Sequence, residues 1–147
     1  FVYQGGQQGP GMGGSPDTVR VLHVDDESEI LEVTGRLVES NHERLTVDPA
    51  RSTGEAFERL GEVDCIVADY VMPEMDGAEF LAQVRRERPN LPVVFFTGRD
   101  ADELDQAVLD ADLTAHVQKG VSADQYRALG ERIERVVGAA NAGTKPC

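Results

Sequence analysis

The run Asp64-Cys65-Ile66-Val67-Ala68-Asp69-Tyr70-Val71-Met72-Pro73-Glu74-Met75-Asp76-Gly77 decides how this chain is read. Cys65 to Ala68 is too short for a helix and carries no polar face, so it reads as a strand buried on both sides, the habit of a parallel sheet. Asp69 closes that strand. In open parallel α/β sheets the loops after the strands form a crevice at this edge, and ligands bind there. Pro73 fixes one dihedral of the loop and disfavours helix just before it, while Gly77 admits conformations closed to other residues; the loop is therefore shaped. An Asp before a turn is by itself a common strand ending, and it is the rest of the chain that gives Asp69 its meaning.

Upstream, Val19-Arg20-Val21-Leu22-His23-Val24 predicts a first strand ending on Asp25-Asp26-Glu27. Ser28 is the candidate cap of a helix in which Ile30, Leu31, Thr34, Leu37 and Val38 recur at helical spacing to about Glu39, with Asn41 as the stop. Leu45-Thr46-Val47 reads as a short second strand. Ser52 or Thr53 opens a helix with Ala56, Phe57 and Leu60 on one face, closed by Gly61. Downstream of the central stretch, a helix from Asp76 to about Arg88 buries Phe80, Leu81 and Val84, and Pro89 and Pro92 bracket its end. Leu91 to Phe96 is the most apolar strand and ends on Thr97-Gly98. A helix from about Asp100 to Asp110 puts Ala101, Leu104, Ala107, Val108 and Ala111 inward. Thr114 to Gln118 is the fifth strand, ending on Lys119-Gly120. A last helix, from about Ser122 to Val137, buries Tyr126, Leu129, Ile133 and Val136 or Val137. Five strands alternating with five helices through short connections predict an α/β fold, a doubly wound five-stranded parallel sheet with right-handed crossovers.

With 147 residues, 40% of them hydrophobic, the chain suits one globular domain, expected over 18–138. Residues 1–17, rich in Gly and Gln, cannot bury enough apolar surface to offset their ordering entropy; they read as a disordered leader, or as residues left ahead of a start at Met12. Residues 139–147 read as a small-residue tail. No apolar run approaches the roughly 18 residues that span a bilayer, and no signal peptide is visible, so no membrane association is expected. Cys65 sits in a core strand and Cys147 ends the chain, a pattern that suits a reducing compartment; the cytoplasm is the expected location. The formal charge of −13, from 27 acidic and 14 basic residues, repels a phosphate backbone and argues against direct nucleic-acid binding. Only Lys119 and Lys145 are lysines, and acidity with so little Lys resembles the proteins of salt-loving archaea.

In a sheet of this kind the strand ends deliver Asp25 and Asp26, Asp69, Thr97 and Lys119 to one edge. Three carboxylates in one crevice repel each other unless a cation shares the site. Mg2+ fits, because it is commonly held by one or two carboxylates while keeping waters and a phosphate as its other ligands. Lys119 suits phosphate oxygens as a point charge, Thr97 offers them a hydroxyl, and Asp69 is the candidate nucleophile, since carboxylates form acyl phosphates.

These residues resemble the receiver domain of two-component response regulators over about Val19 to Val137. The likeness rests on Asp25-Asp26, on Asp69 with Met72-Pro73 and Met75-Asp76-Gly77, on Thr97-Gly98 and on Lys119, in the family's order and with closely similar spacing. It implies a flavodoxin-like sheet of order 2-1-3-4-5 and a phosphorelay role, with Asp69 accepting a phosphoryl group from a histidine kinase. Asp26, Asp69 and the Val71 carbonyl would ligate Mg2+, Asp25 would act through water, and Lys119, Thr97 and Gly98 would bind the phosphoryl group. Val71 and Arg99 would tune its lifetime. A protein target or output domain would read the switch, and a phosphorylation-dependent dimer is a further expectation. Enzymatic activity beyond self-phosphorylation and autodephosphorylation is not expected.

Two departures stand out. Gly120 follows Lys119 where the family usually has Pro, and His116 stands where it often has a switching Tyr or Phe. A haloacid-dehalogenase-like phosphohydrolase would want Asp-x-Asp after the first strand, and a triphosphatase would want a Gly-x-x-x-x-Gly-Lys loop; neither is present. The remaining alternative is a degenerate receiver that binds partners without being phosphorylated.

Overall fold

The first four strands each feed two cores, because successive side chains of a strand point to opposite faces of the sheet. On β1 (Val19–Val24), Leu22 and Val24 enter one apolar cluster while Val19 and Val21 enter the other. The computed structural model describes residues 18–98, 104–120 and 122–143. After β1 come α1 (Ser28–Asn41), β2 (Leu45–Ala50), α2 (Thr53–Glu58) with a 3-10 turn over Leu60–Glu62, and β3 (Cys65–Ala68). The chain continues through α3 (Gly77–Glu87), β4 (Val93–Thr97), α4 (Gln106–Asp110), β5 (Thr114–Gln118) and α5 (Ala123–Gly143). All pairings between these strands are parallel and the order is β2-β1-β3-β4-β5, the flavodoxin-like arrangement. One cluster joins the sheet to α2 and α3 through Ala56, Phe80, Leu81 and Val84; the other joins it to α1 and α5 through Val38, Leu129 and Ile133.

Several boundaries differ from the sequence reading, each for a local reason. β2 runs on through Asp48 and Pro49 to Ala50, although both residues disfavour strand. It is an edge strand, where the missing Pro N–H costs no ladder bond. Ser28 does not cap α1. Glu27 holds the cap position, with no side-chain cap bond, and its own N–H donates to Asp25 Oδ1 at 2.9 Å. Ser52 does cap α2, its Oγ accepting from Glu55 N. Asp76 caps α3 and forms a capping box with Glu79. Ala107, expected inward, is exposed, whereas Leu104 and Val108 are buried. α5 continues past Val137 to Gly143, and Ala140 is still buried. The leader over 1–17, residues 100–103 of the expected fourth helix and the chain end after Gly143 lie outside the described residues.

The opposite edge of the sheet is closed by the last turn of α3. The Arg85 guanidinium donates to the carbonyls of Leu91, Asp112 (2.9 Å) and Leu113 (3.3 Å), and Arg88 donates to that of Val63 (3.2 Å). No helix among the described residues is long and apolar enough to cross a membrane.

Candidate functional site

The ends of β1, β3, β4 and β5 are held side by side by backbone bonds that continue just past the strands. Asp69 N donates to Val24 O (3.3 Å) and Lys119 N to Thr97 O (2.7 Å). Parallel pairing therefore brings together four residues that are far apart in sequence. Lys119 Nζ donates to Asp25 Oδ2 at 3.0 Å and to Asp69 Oδ2 at 2.9 Å. Asp25 is wholly buried, and its other oxygen accepts from Glu27 N. The expectation of three carboxylates short of a cation is thus partly met within the chain, since two of them already share an ammonium. Burial alone would lower the Lys119 pKa, but hydrogen bonds and charge from Asp69, then Asp25, outweigh it and hold the pKa above the ordinary lysine value. The ammonium also lies 5.9 Å from the centre of the Phe96 ring, within cation-π range.

In front of this triad is an open cleft of about 410 Å³ lined by Asp26, Glu27, Asp69, Val71, Thr97 and Gly98. Alternation along the chain separates the acidic pair: Asp25 is buried against Lys119 while Asp26 is exposed and reaches the cleft. Thr97 is buried but lines the same space, and Gly98 has room for a Cβ, so its backbone is approachable without strain. Among the described residues no three His, Cys, Asp or Glu side chains converge as a ready metal cage. Two carboxylates, Asp26 and Asp69, with Val71 beside them do line the cleft. That oxygen-donor set suits Mg2+, which needs few protein ligands because it keeps its waters.

The loop after Asp69 is shaped as its composition suggested, with contacts beyond the effect of Pro73. Val71 N donates to Asp69 Oδ1 (3.2 Å), Val71 bridges Asp76 in antiparallel fashion, and Gly77 N donates to Tyr70 O (2.6 Å). Gly77 is required by space: a Cβ there would meet Tyr70 Cδ1 at 2.3 Å and Phe95 Cε1 at 2.9 Å. Its backbone is not in the left-handed region, so close packing and not conformational freedom selects glycine. Gly120 likewise has an ordinary φ, and the space beside it is taken by the Gln125 side chain; no peptide bond among the described residues is cis.

His116 is half-buried on β5, in register with Phe95, and alternates with Val117, which packs on the α1/α5 side. Arg99, the second candidate for lifetime tuning, lies outside the described residues. Two residues that the sequence reading left without a role belong to this region. Glu27 lines the cleft, a position implicit in its following the acidic pair. His23 is fully buried behind Asp25 and neither ring nitrogen has a hydrogen-bond partner among the described residues. Burial lowers its pKa to about 4, against the opposing pull of Asp25 and Asp69. Nothing in the sequence distinguished it from a neutral strand residue.

Comparison with known proteins agrees with this geometry. The family model for the response regulator receiver domain matches residues 21–130. The transcriptional regulatory protein TcrA of Mycobacterium tuberculosis is 34% identical over 131 residues, covering 85% of this chain and 51% of that protein. The chain spans about half the length of the first such curated relatives. Among solved structures, a CheY-like receiver domain protein from Methanospirillum hungatei superposes with a TM-score of 0.72 at 26% identity, over 86% of this chain and 98% of the other. The response regulator TrrA of Thermotoga maritima, crystallised in complex with Mg(2+)-BeF, gives 0.68 at 25% identity over 81% and 99%. With a family match over most of the described residues and a sheet order to fit, the chain belongs to the response regulator receiver domain family.

Proposed function

We propose that Asp69 is the phosphoryl acceptor of a Mg2+-dependent phosphorelay and that its donor is the phosphohistidine of a histidine kinase. The observation that carries this reading is the pairing of Lys119 with both Asp25 and Asp69 at the wall of a cleft that Asp26 and Thr97 also line. An Asp69 carboxylate oxygen attacks phosphorus, the P–N bond of the donor breaks, and its electron pair leaves with the imidazole. The product is an acyl phosphate. Lys119 pairs with the acceptor carboxylate before the transfer and offers its ammonium to the phosphoryl oxygens after it. The Thr97 hydroxyl, together with the approachable backbone at Gly98, binds the same oxygens. Asp26, Asp69 and the Val71 carbonyl are the residues that would hold Mg2+, with Asp25 in support through water. When bound, Mg2+ supplies positive charge against the repulsion between the carboxylates and the incoming phosphoryl group.

The phosphorylated form acts on a protein target or output domain. Thr97 is the residue whose contacts differ between the two forms, and His116 follows it on β5; a differential contact of this kind is what shifts a two-state equilibrium. Half-exposed Val71, together with Arg99, sets the lifetime of the phosphoryl group at the mouth where water enters. The one-domain organisation over 18–138, action in the cytoplasm and a phosphorylation-dependent dimer complete the reading. The test is labelling by acetyl phosphate with and without EDTA: label that requires metal and disappears in Asp69→Asn is expected. Undiminished label in Asp69→Asn would overturn the acceptor assignment, and no label in the parent would favour a degenerate receiver that only binds partners.

A further inference from the structure

The residue after the acceptor carries an arrangement that the phosphoryl chemistry does not use. The Tyr70 ring stands edge-on to Phe95, with centroids 5.6 Å apart at 73°, and is pressed against Gly77 at the start of α3, where no Cβ fits. Its backbone is pinned on both sides, by Asp69 N to Val24 O and by Gly77 N to Tyr70 O. At the far end of the ring, the hydroxyl accepts a hydrogen bond from Asp105 N at 3.3 Å. Asp105 is the cap of α4, its Oδ1 accepting from Ala107 N at 3.0 Å. The other end of α4 is tied to β5 by the Thr114 hydroxyl, which donates to Val108 O at 3.1 Å. α4 is only five residues long and cannot hold itself in place, so these ties, together with the packing of buried Val108 in the core cluster on the α2/α3 side, decide where it sits.

We propose that Tyr70 is a positioning residue that couples the acceptor loop to α4: a rigid ring, clamped at its base beside Asp69, fixes the N-terminus of α4 through its hydroxyl. A change in charge at Asp69 rearranges the loop bonds made by its carboxylate. The displacement reaches α4 because the clamped ring has no free torsion to absorb it. This link runs past Phe95 on the α2/α3 face of the sheet and does not pass through Thr97. It rests on the acceptor reading of Asp69.

The experiment uses amide NMR of the full chain, with Mg2+ and beryllofluoride as a stable phosphoryl mimic. In the parent, amides of Gln106 to Asp110 shift together with those of Val71, Thr97 and Lys119. Tyr70→Phe keeps the packing and deletes the hydroxyl; the three site amides should shift as in the parent, while the α4 shifts fall to less than half. Without ligand, the Asp105 amide should exchange with solvent about threefold to tenfold faster, the range an ordinary hydrogen bond gives. A second pair approaches the bond from the donor side. Asp105 has φ −63°, which proline adopts, so Asp105→Pro deletes the N–H, whereas Asp105→Ala deletes only the cap. Only the proline variant should uncouple α4. Parent-like α4 shifts in Tyr70→Phe, or equal uncoupling by Asp105→Ala and Asp105→Pro, would overturn the proposal. If beryllofluoride moves no site amide in the parent, the acceptor reading fails and takes this inference with it; site shifts with a silent α4 would sink this inference alone.

Discussion

Replacing Lys119 by Met tests whether the ammonium is the keystone of the site. Its Nζ lies within 3.0 Å of one oxygen of both Asp25 and Asp69. At an effective dielectric of about 20, each contact represents about 5 kcal/mol of gross attraction, most of which is cancelled by the desolvation of the charges. What remains measurable is the cost of leaving a buried carboxylate without its cation, about 3–5 kcal/mol. Asp25 is 0% exposed and cannot escape, but the Asp69 side chain is 17% exposed and can recover water, so the lower end, about 3 kcal/mol, is expected. For a domain of this size that lowers Tm by about 12 °C, taking about 4 °C per kcal/mol. Asp25→Asn in the Lys119→Met background removes the stranded charge and should restore about 2 kcal/mol. Urea unfolding of the parent, both single variants and the double variant closes the cycle. A cost below about 1 kcal/mol for Lys119→Met, or no recovery on adding Asp25→Asn, would refute the argument that Asp25 depends on this lysine.

Buried His23 makes stability depend on acid. Its pKa is lowered from 6.5 in the unfolded chain to about 4, so between those values the unfolded state binds the extra proton and stability falls as pH falls. The loss is on the order of 3 kcal/mol across the window, and His23→Val should lack it; a parent-minus-variant difference that stays constant from pH 7 to pH 4.5 would exclude it. Lys119 gives the opposite limb. Its raised pKa means that its contribution is complete below about 10.4 and is lost only as pH climbs through the folded value, so alkaline melts of Lys119→Met should be flatter than those of the parent. Gly77→Ala forces a Cβ into the Tyr70 ring and should cost about 1–3 kcal/mol by urea unfolding, whereas Gly98→Ala, with open space around it, should cost far less. With a net charge of −13, Tm should rise between about 0.01 M and 1 M KCl as the screening length falls from roughly 30 Å to about 3 Å. Millimolar Mg2+ should add to that rise beyond its ionic strength; a flat KCl series would remove the salt-adapted reading and leave the receiver assignment intact.

The sequence by itself determined the order and type of the elements, because they are written in short-range patterns. Cys65 to Ala68 has no polar side, α1 and α5 repeat their apolar residues at helical spacing, and Asp76 and Glu79 sit at the distance a capping box needs. It also determined which residues reach the functional edge, since Asp25-Asp26, Asp69, Thr97 and Lys119 each stand at, or within two residues of, the C-terminal end of a strand. Tertiary structure decided what those residues do with one another. That Lys119 joins Asp25 and Asp69, 94 and 50 residues away, follows from parallel register and has no local signature. That Asp25 is buried while Asp26 faces the cleft depends on which side of β1 is covered by α1 and α5. β2 extends through Asp48 and Pro49 because pairing with β1 at a free edge outweighs weak local propensity. In the sequence Gly77 suggests backbone freedom, but only the packed ring of Tyr70 shows that it is there to make room, because steric contact between segments is invisible until the chain has folded.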